Sequence, residues 1–259
     1  MSTILQISDP HLLSDPDRTL KGVPTSQSLR AVLQRAREEI ADPARLVLSG
    51  DLSHEHTVAG YELLKDLLGD WTEKSLLIPG NHDDRRGMRS VFSQVPGEGD
   101  DDVWFHDEIG DWQLIGLDSH VPDEVYGELS RETLDRLQVW LSENPERPSL
   151  IFLHHPPVSV NSWLDTIGLR NPDPLENLVR SNPAVRGVFC GHIHHVFEGH
   201  FAGVPCCSAP AVSFQFVPAT EERGFDLRPP GFRVIELKKT AFTTRVVRLN
   251  ELPFVPRDE

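Results

Sequence analysis

Gly80-Asn81-His82-Asp83 follows the apolar run Ser75–Ile78 and Pro79, so a predicted strand ends where the chain presents an amide, an imidazole and a carboxylate in succession. Composition alone predicts roughly 0.002 copies of this string in the chain, whereas a bare Asp-x-His pair is expected about once by chance. Outward from it the same arrangement recurs. Asp9-Pro10-His11 follows the strand candidate Thr3–Ser8, Gly50-Asp51 follows Leu46–Ser49, His154-His155 closes on Ser149–Leu153, and Gly191-His192-Ile193-His194 follows Val185–Cys190. Ligands of open α/β sheets bind at the carboxyl ends of strands, so these five segments are candidates for one shared site.

Between the strand runs the apolar residues change to helical spacing. From Thr25 or Ser26 as a cap, Leu29, Val32, Leu33, Ala36 and Ile40 lie on one face of a helix reaching Ala41. Tyr61, Leu64 and Leu68 mark a second helix, and Ser130 opens another, with Leu129 and Leu134 as a hydrophobic staple and Leu137 and Leu141 continuing the face. Trp112–Asp118 is a further strand. The alternation predicts an α/β fold, and beyond Gly191 the runs Val196–Phe201, Val204–Ser208, Phe232–Leu237 and Thr243–Leu249 predict successive antiparallel strands. With no linker in between, residues 1–250 are expected to form a single domain and 251–259, carrying Pro253 and Pro256, a loose tail.

The 259 residues carry 25 Lys and Arg against 40 Asp and Glu, a formal charge of −15, which argues against a nucleic acid polymer or an anionic membrane surface as partner. No run approaches the ~18 apolar residues of a membrane helix, and residues 1–8, MSTILQIS, lack the cationic start and apolar stretch of a leader, so a cytoplasmic location is expected. Cys190, Cys206 and Cys207 read as buried small hydrophobes in a reducing compartment.

Seven of the groups in the five segments, two carboxylates, one amide oxygen and four imidazoles, make a donor set with no thiolate. Such a set suits Mn²⁺, Fe, Co²⁺ or Zn²⁺. Seven groups serve two ions well if one carboxylate bridges, because each ion then keeps open positions.

The series Asp9-Pro-His11, Gly50-Asp51, Gly80-Asn-His-Asp83, His154 and Gly191-His-Ile-His194 resembles, in order and over Met1 to about Phe201, the calcineurin-like metallophosphoesterase superfamily. The resemblance implies a four-layer αββα sandwich of two packed mixed sheets. It implies Asp9, His11 and His194 on one metal, Asn81, His154 and His192 on the other, and Asp51 bridging both, with His82 as a catalytic residue outside the metal shell. His11, Asp51, Asn81, His82 and His194 would also meet substrate. The metals implied are two divalent or trivalent ions, Fe and Mn first, with Zn or Co as further candidates.

Within the superfamily, Gly127-Glu-Leu-Ser130, the LHHPP of 153–157, SWLD at 162–165 with Leu169-Arg170-Asn171, CGHIH at 190–194 and Pro229-Pro-Gly-Phe-Arg233 are similar to the class III cyclic-nucleotide phosphodiesterases, especially the bacterial enzymes of 3′,5′-cyclic AMP. The implied activity is hydrolysis of that diester to 5′-AMP by a metal-bridging hydroxide, with the imidazolium of His82 protonating the departing ribose oxygen. Alternatives are a broader phosphodiesterase acting on 2′,3′-cyclic nucleotides or glycerophosphodiesters, and a non-catalytic protein-binding scaffold, against which the intact donor set argues. A small phosphodiester is the expected partner, and a homo-oligomer is compatible with the sequence.

Two departures narrow the class. Protein Ser/Thr phosphatases continue Gly-Asp with Asp-Arg-Gly, whereas Leu52-Ser53-His54-Glu55 stands here, and the metal-binding tyrosine of purple acid phosphatases is replaced by His54. Arg170 and Gln215 are candidate substrate contacts. His155, His195 and His200 are expected at the surface or satisfied, because neighbours on a strand point apart. His54, His56 and His106 are expected in solvent, Asp118 and His120 either line the cleft or cap, and Gly99–Asp102 reads as a solvated acidic loop.

Overall fold

Alternation within the first strand decides the layering. The computed structural model describes residues 2–258, so Met1 and Glu259, the outer ends of the expected domain and tail, lie outside the described residues. In β1 (Ser2–Ile7), Ile4 enters one apolar cluster while Leu5 and Ile7 enter another. β2 (Arg45–Ser49) divides the same way, with Val47 beside Ile4 and Leu46 and Leu48 on the opposite face. A strand with two buried faces belongs to a sheet covered on both sides.

On the outer face lie α1 (Thr25–Glu39) with Leu29, Val32, Leu33 and Ala36, α2 (Val58–Leu68) with Tyr61, Leu64 and Leu68, and the short α3 (Arg85–Val91) with Met88. On the inner face, Ile4, Val47 and Ile78 of β3 (Ser75–Ile78) meet Leu114 of β5 (Trp112–Gly116), Leu150 and Phe152 of β6 (Ser149–Phe152), and Phe189 of β7 (Val185–Cys190). Those strands in turn turn Ile115, Ile151 and Val188 outward onto Leu137 and Leu141 of α4 (Arg131–Glu143) and Leu175 and Val179 of α5 (Pro172–Ser181). This is the expected order of helix, sheet, sheet, helix.

Both sheets are mixed. With β4 (Phe105–Ile109), β8 (Glu198–Phe201), β9 (Val204–Ser208), β12 (Gly231–Leu237) and β13 (Phe242–Arg248), the orders are β13-β12-β1-β2-β3 and β4-β5-β6-β7-β9-β8. β1, β2 and β3 run parallel, as do β5, β6, β7 and β9. The segments beyond Gly191 are therefore only partly the antiparallel series expected. β8 and β9 pair antiparallel, but β9 joins β7 in parallel, and β12 and β13 cross to the other sheet beside β1. β10 (Gln215–Phe216) and β11 (Phe225–Asp226) form a separate two-stranded flap.

Polar side chains bind the two sheets at the level of the parallel strand ends. The buried Gln6 amide donates to Ser49 Oγ of its own sheet and to the Cys190 carbonyl of the other, both at 3.0 Å. The fully buried Arg233 of β12 donates to Ser208 O at 3.0 Å and to Glu198 Oε1 at 3.1 Å. Residues 251–258 have no regular structure, yet they are pinned where Pro256 is buried and Arg257 N–H donates to Lys21 O at 3.0 Å.

Candidate metal centre

The parallel strands of both sheets deliver the candidate donors to one edge. Asp9, Asp51 and Asn81 follow the ends of β1, β2 and β3, while His154 and His192 follow β6 and β7. Asp9, His11, Asp51, His192 and His194 all have φ between 47° and 70°. Residues with side chains rarely occupy this left-handed region, so five strained positions at one sheet edge point to a functional constraint. Gly50, at φ +96°, has its Cα against the His154 ring, and a Cβ there would collide with Nδ1.

Asp9, His11, Asp51 and His194 bring their donor atoms into one group, and His154 and His192 lie beside them with ring centroids 5.1 Å apart. Asp51 Oδ2 sits between His11 Nε2 at 3.3 Å and His154 Nε2 at 3.4 Å. Asp9 Oδ1 lies 3.6 Å from His194 Nε2 and 4.0 Å from His154 Nε2. Ring tautomers follow from the remaining hydrogen bonds. His154 Nδ1 donates to Ser49 O at 2.7 Å and His194 Nδ1 to Phe214 O at 2.8 Å, which aims each Nε2 at the centre and leaves that of His194 as a lone pair.

Among the described residues, Asp9 Oδ2, Asn81 Oδ1, His154 Nε2 and His192 Nε2 are buried without a hydrogen-bond partner. Each such atom costs about 1–3 kcal/mol when left unpaired, so four together favour a shared partner, and oxygen and imidazole acceptors of this kind suit a cation. The donor set of oxygens and imidazole nitrogens thus fits a pair of metal ions.

Burial drives the His11 and His194 pKa values down and takes His192 to about 3, so these rings are neutral donors at physiological pH. His154 goes the other way. Burial opposes its charge, but the Asp51 and Asp9 carboxylates and the bond to Ser49 outweigh it and push the ring up to about 9. Because the folded value lies above the ordinary 6.5, the metal-free protein holds a proton there up to about pH 9, and a metal must displace it. Zinc uptake by stripped protein is therefore expected to release close to one proton between pH 7 and 8.5, falling towards zero above pH 10. Calorimetry in two buffers of different ionisation heat measures this, and release that does not change with pH would remove His154 from the donor set.

The remaining candidates separate. His82 is half-buried beside the donors: its N–H donates to Asp51 Oδ1 at 2.9 Å, and its ring stands 5.0 Å from that of His11. Gln215 is not free to meet a substrate. Its amide donates to Arg228 O and Pro229 O, and its oxygen accepts from Arg248 Nη1 at 2.9 Å, so it holds a loop. Arg170 is exposed, with its guanidinium over the Tyr126 ring. His155 is buried and satisfied as expected, Nδ1 pairing with Ser119 Oγ and Nε2 with Val125 O, which withdraws it from metal binding although it lies beside His192. Asp118 is structural, accepting from Arg85, Val103 N and His120 N.

Four contributors escape a reading by spacing. Asp83 is a buried clamp whose carboxylate accepts from Leu52 N, Ser53 N, Gly80 N and the Tyr61 hydroxyl, joining the β2 and β3 loops. Burial, with Asp51 nearby, raises its pKa to about 6. His54 is not in solvent but half-buried, stacked on His82 at 4.6 Å, and burial lowers its pKa to about 4. Its position three residues after Asp51 was the available signal. Phe214 and Phe216 line the His194 ring at 4.8 and 5.0 Å.

The fold and this centre define a metal-dependent phosphoesterase, and residues 2–196 match the family model of the calcineurin-like phosphoesterases, so the chain belongs to that family. Over 255 residues, 98% of this chain and 92% of the relative, it is 32% identical to the 3′,5′-cyclic adenosine monophosphate phosphodiesterase CpdA of Vibrio vulnificus. It is 35% identical over 257 residues to a 3′,5′-cyclic-nucleotide phosphodiesterase of Nostoc, covering 98% of this chain and 95% of that one. In fold it is similar to a dimetal phosphatase from Danio rerio, with a TM-score of 0.73, 16% identity and 99% of each chain covered. No helix among the described residues is long and apolar enough to cross a membrane.

Proposed function

We propose that this phosphodiesterase hydrolyses 3′,5′-cyclic AMP to 5′-AMP, with Asp9, His11 and His194 holding one metal ion, Asn81, His154 and His192 the other, and Asp51 shared. The reading is carried by the complete set of seven donors in a chain 32–35% identical, nearly end to end, to cyclic-nucleotide phosphodiesterases. Oxygen and imidazole donors without thiolate suit manganese, iron, cobalt or zinc, and the family resemblance puts iron and manganese first. When bound, the ions supply Lewis-acid activation of water and neutralise phosphoryl oxygens.

The protein's own groups do the rest. Asp51, fixed by the His82 N–H, keeps the two halves of the centre in register. His82, whose ring has no hydrogen-bonding partner among the described residues, gives a proton to the departing ribose 3′-oxygen. Arg170, exposed above Tyr126, is assigned to the nucleotide's outer side. Three buried, unpaired cysteines suit the cytoplasm as the place of action.

Rates measured side by side with Mn²⁺ on 3′,5′-cyclic AMP, 2′,3′-cyclic AMP, a glycerophosphodiester and an aryl monoester test the substrate. The highest kcat/KM is expected on 3′,5′-cyclic AMP. A higher value on either of the other diesters overturns the assignment.

A further inference from the structure

Asp51–Glu55 is laced alongside Asp9–Ser14. His11 N–H donates to Asp51 O at 2.9 Å, Leu12 N–H to Leu52 O at 3.0 Å and His54 N–H to Leu12 O at 2.9 Å. The Glu55 carboxylate closes the ladder by accepting the Ser14 N–H at 3.0 Å and the Ser14 hydroxyl at 2.6 Å. The backbone thereby holds the His54 ring against that of His11, with the two Nδ1 atoms 3.2 Å apart. One Nδ1 must carry the proton and the other accept it.

Which one does so depends on the far side of His11. There Nε2 faces His194 Nε2 at 3.0 Å and Asp51 Oδ2 at 3.3 Å, and His194 Nε2 is a lone pair because its Nδ1 donates to Phe214 O. With a cation against Nε2, the His11 proton must sit on Nδ1. That buried N–H then needs an acceptor, and His54 Nδ1 is the group in reach.

We propose that His54 is a positioning residue that sets the ligating tautomer of His11 by accepting its Nδ1–H. The inference rests on the proposed role of His11 as a ligand. The other face of His54 lies on His82 at an interplanar angle of 22°, so the ring that orients the ligand also supports the proposed acid.

Histidine ¹⁵N spectra of the zinc-loaded full-length protein test the pairing. His11 is expected to carry its proton on Nδ1 and His54 on Nε2. Competition with a chromophoric chelator gives a second reading. His54→Phe keeps the aromatic ring against His82 but removes the acceptor, and is expected to weaken one of the two zinc ions about 10–100-fold. His54→Asn places an oxygen at the Nδ1 position and is expected to restore most of that affinity. Unchanged zinc affinity in His54→Phe, or a His54 that carries its proton on Nδ1 with zinc bound, overturns the proposal. A His11→Ala protein that binds both zinc ions like the wild type would instead overturn the ligand assignment beneath it.

Discussion

Asp51→Ala is expected to lower bound metal below two ions per chain and to reduce kcat by at least about 10³-fold, beyond the usual cost of losing one preorganised electrostatic partner. The reason is position. Its Oδ2 stands 3.3 Å from His11 Nε2 and 3.4 Å from His154 Nε2, and its Oδ1 accepts the His82 N–H, so one carboxylate touches both halves of the centre and the segment bearing the acid. Asp51→Asn keeps the shape and one oxygen acceptor, which separates folding from charge. It should fold normally and still bind metal weakly. The two variants carry a further consequence for His154, whose pKa stands near 9 largely because of Asp51. Without that carboxylate the ring loses its proton at lower pH, and proton release on zinc addition at pH 8 should fall. Metal analysis with turnover in Mn²⁺ measures the first effect. Near-normal rate with both ions retained would show that Asp51 does not bridge.

Much of the fold was legible because short apolar runs alternate with helical spacing, which marks strands and helices in turn. Which residues face inward, Ile4 against Leu5 and Val47 against Leu46 and Leu48, emerges only from the packing, since a continuous apolar run has no polar side to read. The elements that escaped have weak patterns for physical reasons. β4, FHDEI, is an edge strand with charged residues at its centre, and α3 is seven residues long, held by Asp84 accepting from Arg86 N and Gly87 N. α5 begins with two prolines, which suit the first turn of a helix but read as loop when the apolar face beyond them is short. Sheet membership of β12 and β13 depends on a long-range pairing with β1 that no local pattern encodes.

The site was legible differently, through chemistry at strand ends. The donors could be named because imidazoles and carboxylates after apolar runs are unusual, whereas the supporting groups are ordinary residues made special by contact. His54 stands between Ser53 and Glu55 and reads as solvated, yet the parallel ladder from Leu12 to Ser53 turns it inward. Gln215 fails in the opposite sense, since a polar residue near the aromatic flap suggests a substrate contact while its three hydrogen bonds tie it to Arg228, Pro229 and Arg248.

His82→Ala is expected to keep two metal ions and the folded state while losing roughly 10²–10⁴ in rate on 3′,5′-cyclic AMP, the range of a positioned acid. Metal retention follows from the geometry, because the bond to Asp51 Oδ1 comes from the backbone N–H and survives the substitution. The rate loss should depend on what departs. A ribose alkoxide is a poor leaving group that needs a proton as the bond to phosphorus breaks, whereas a nitrophenolate carries its charge unaided. An aryl diester should therefore lose at most about tenfold on the same variant. Equal losses on both substrates would assign His82 to charge stabilisation of the phosphoryl group, since that demand does not vary with the leaving oxygen. Loss of metal would place it in the support of the centre, where its stacking on His54 would become its main contribution. The ratio of the two losses, rather than either alone, separates proton donation from binding, because only proton donation is sensitive to the basicity of the oxygen that leaves.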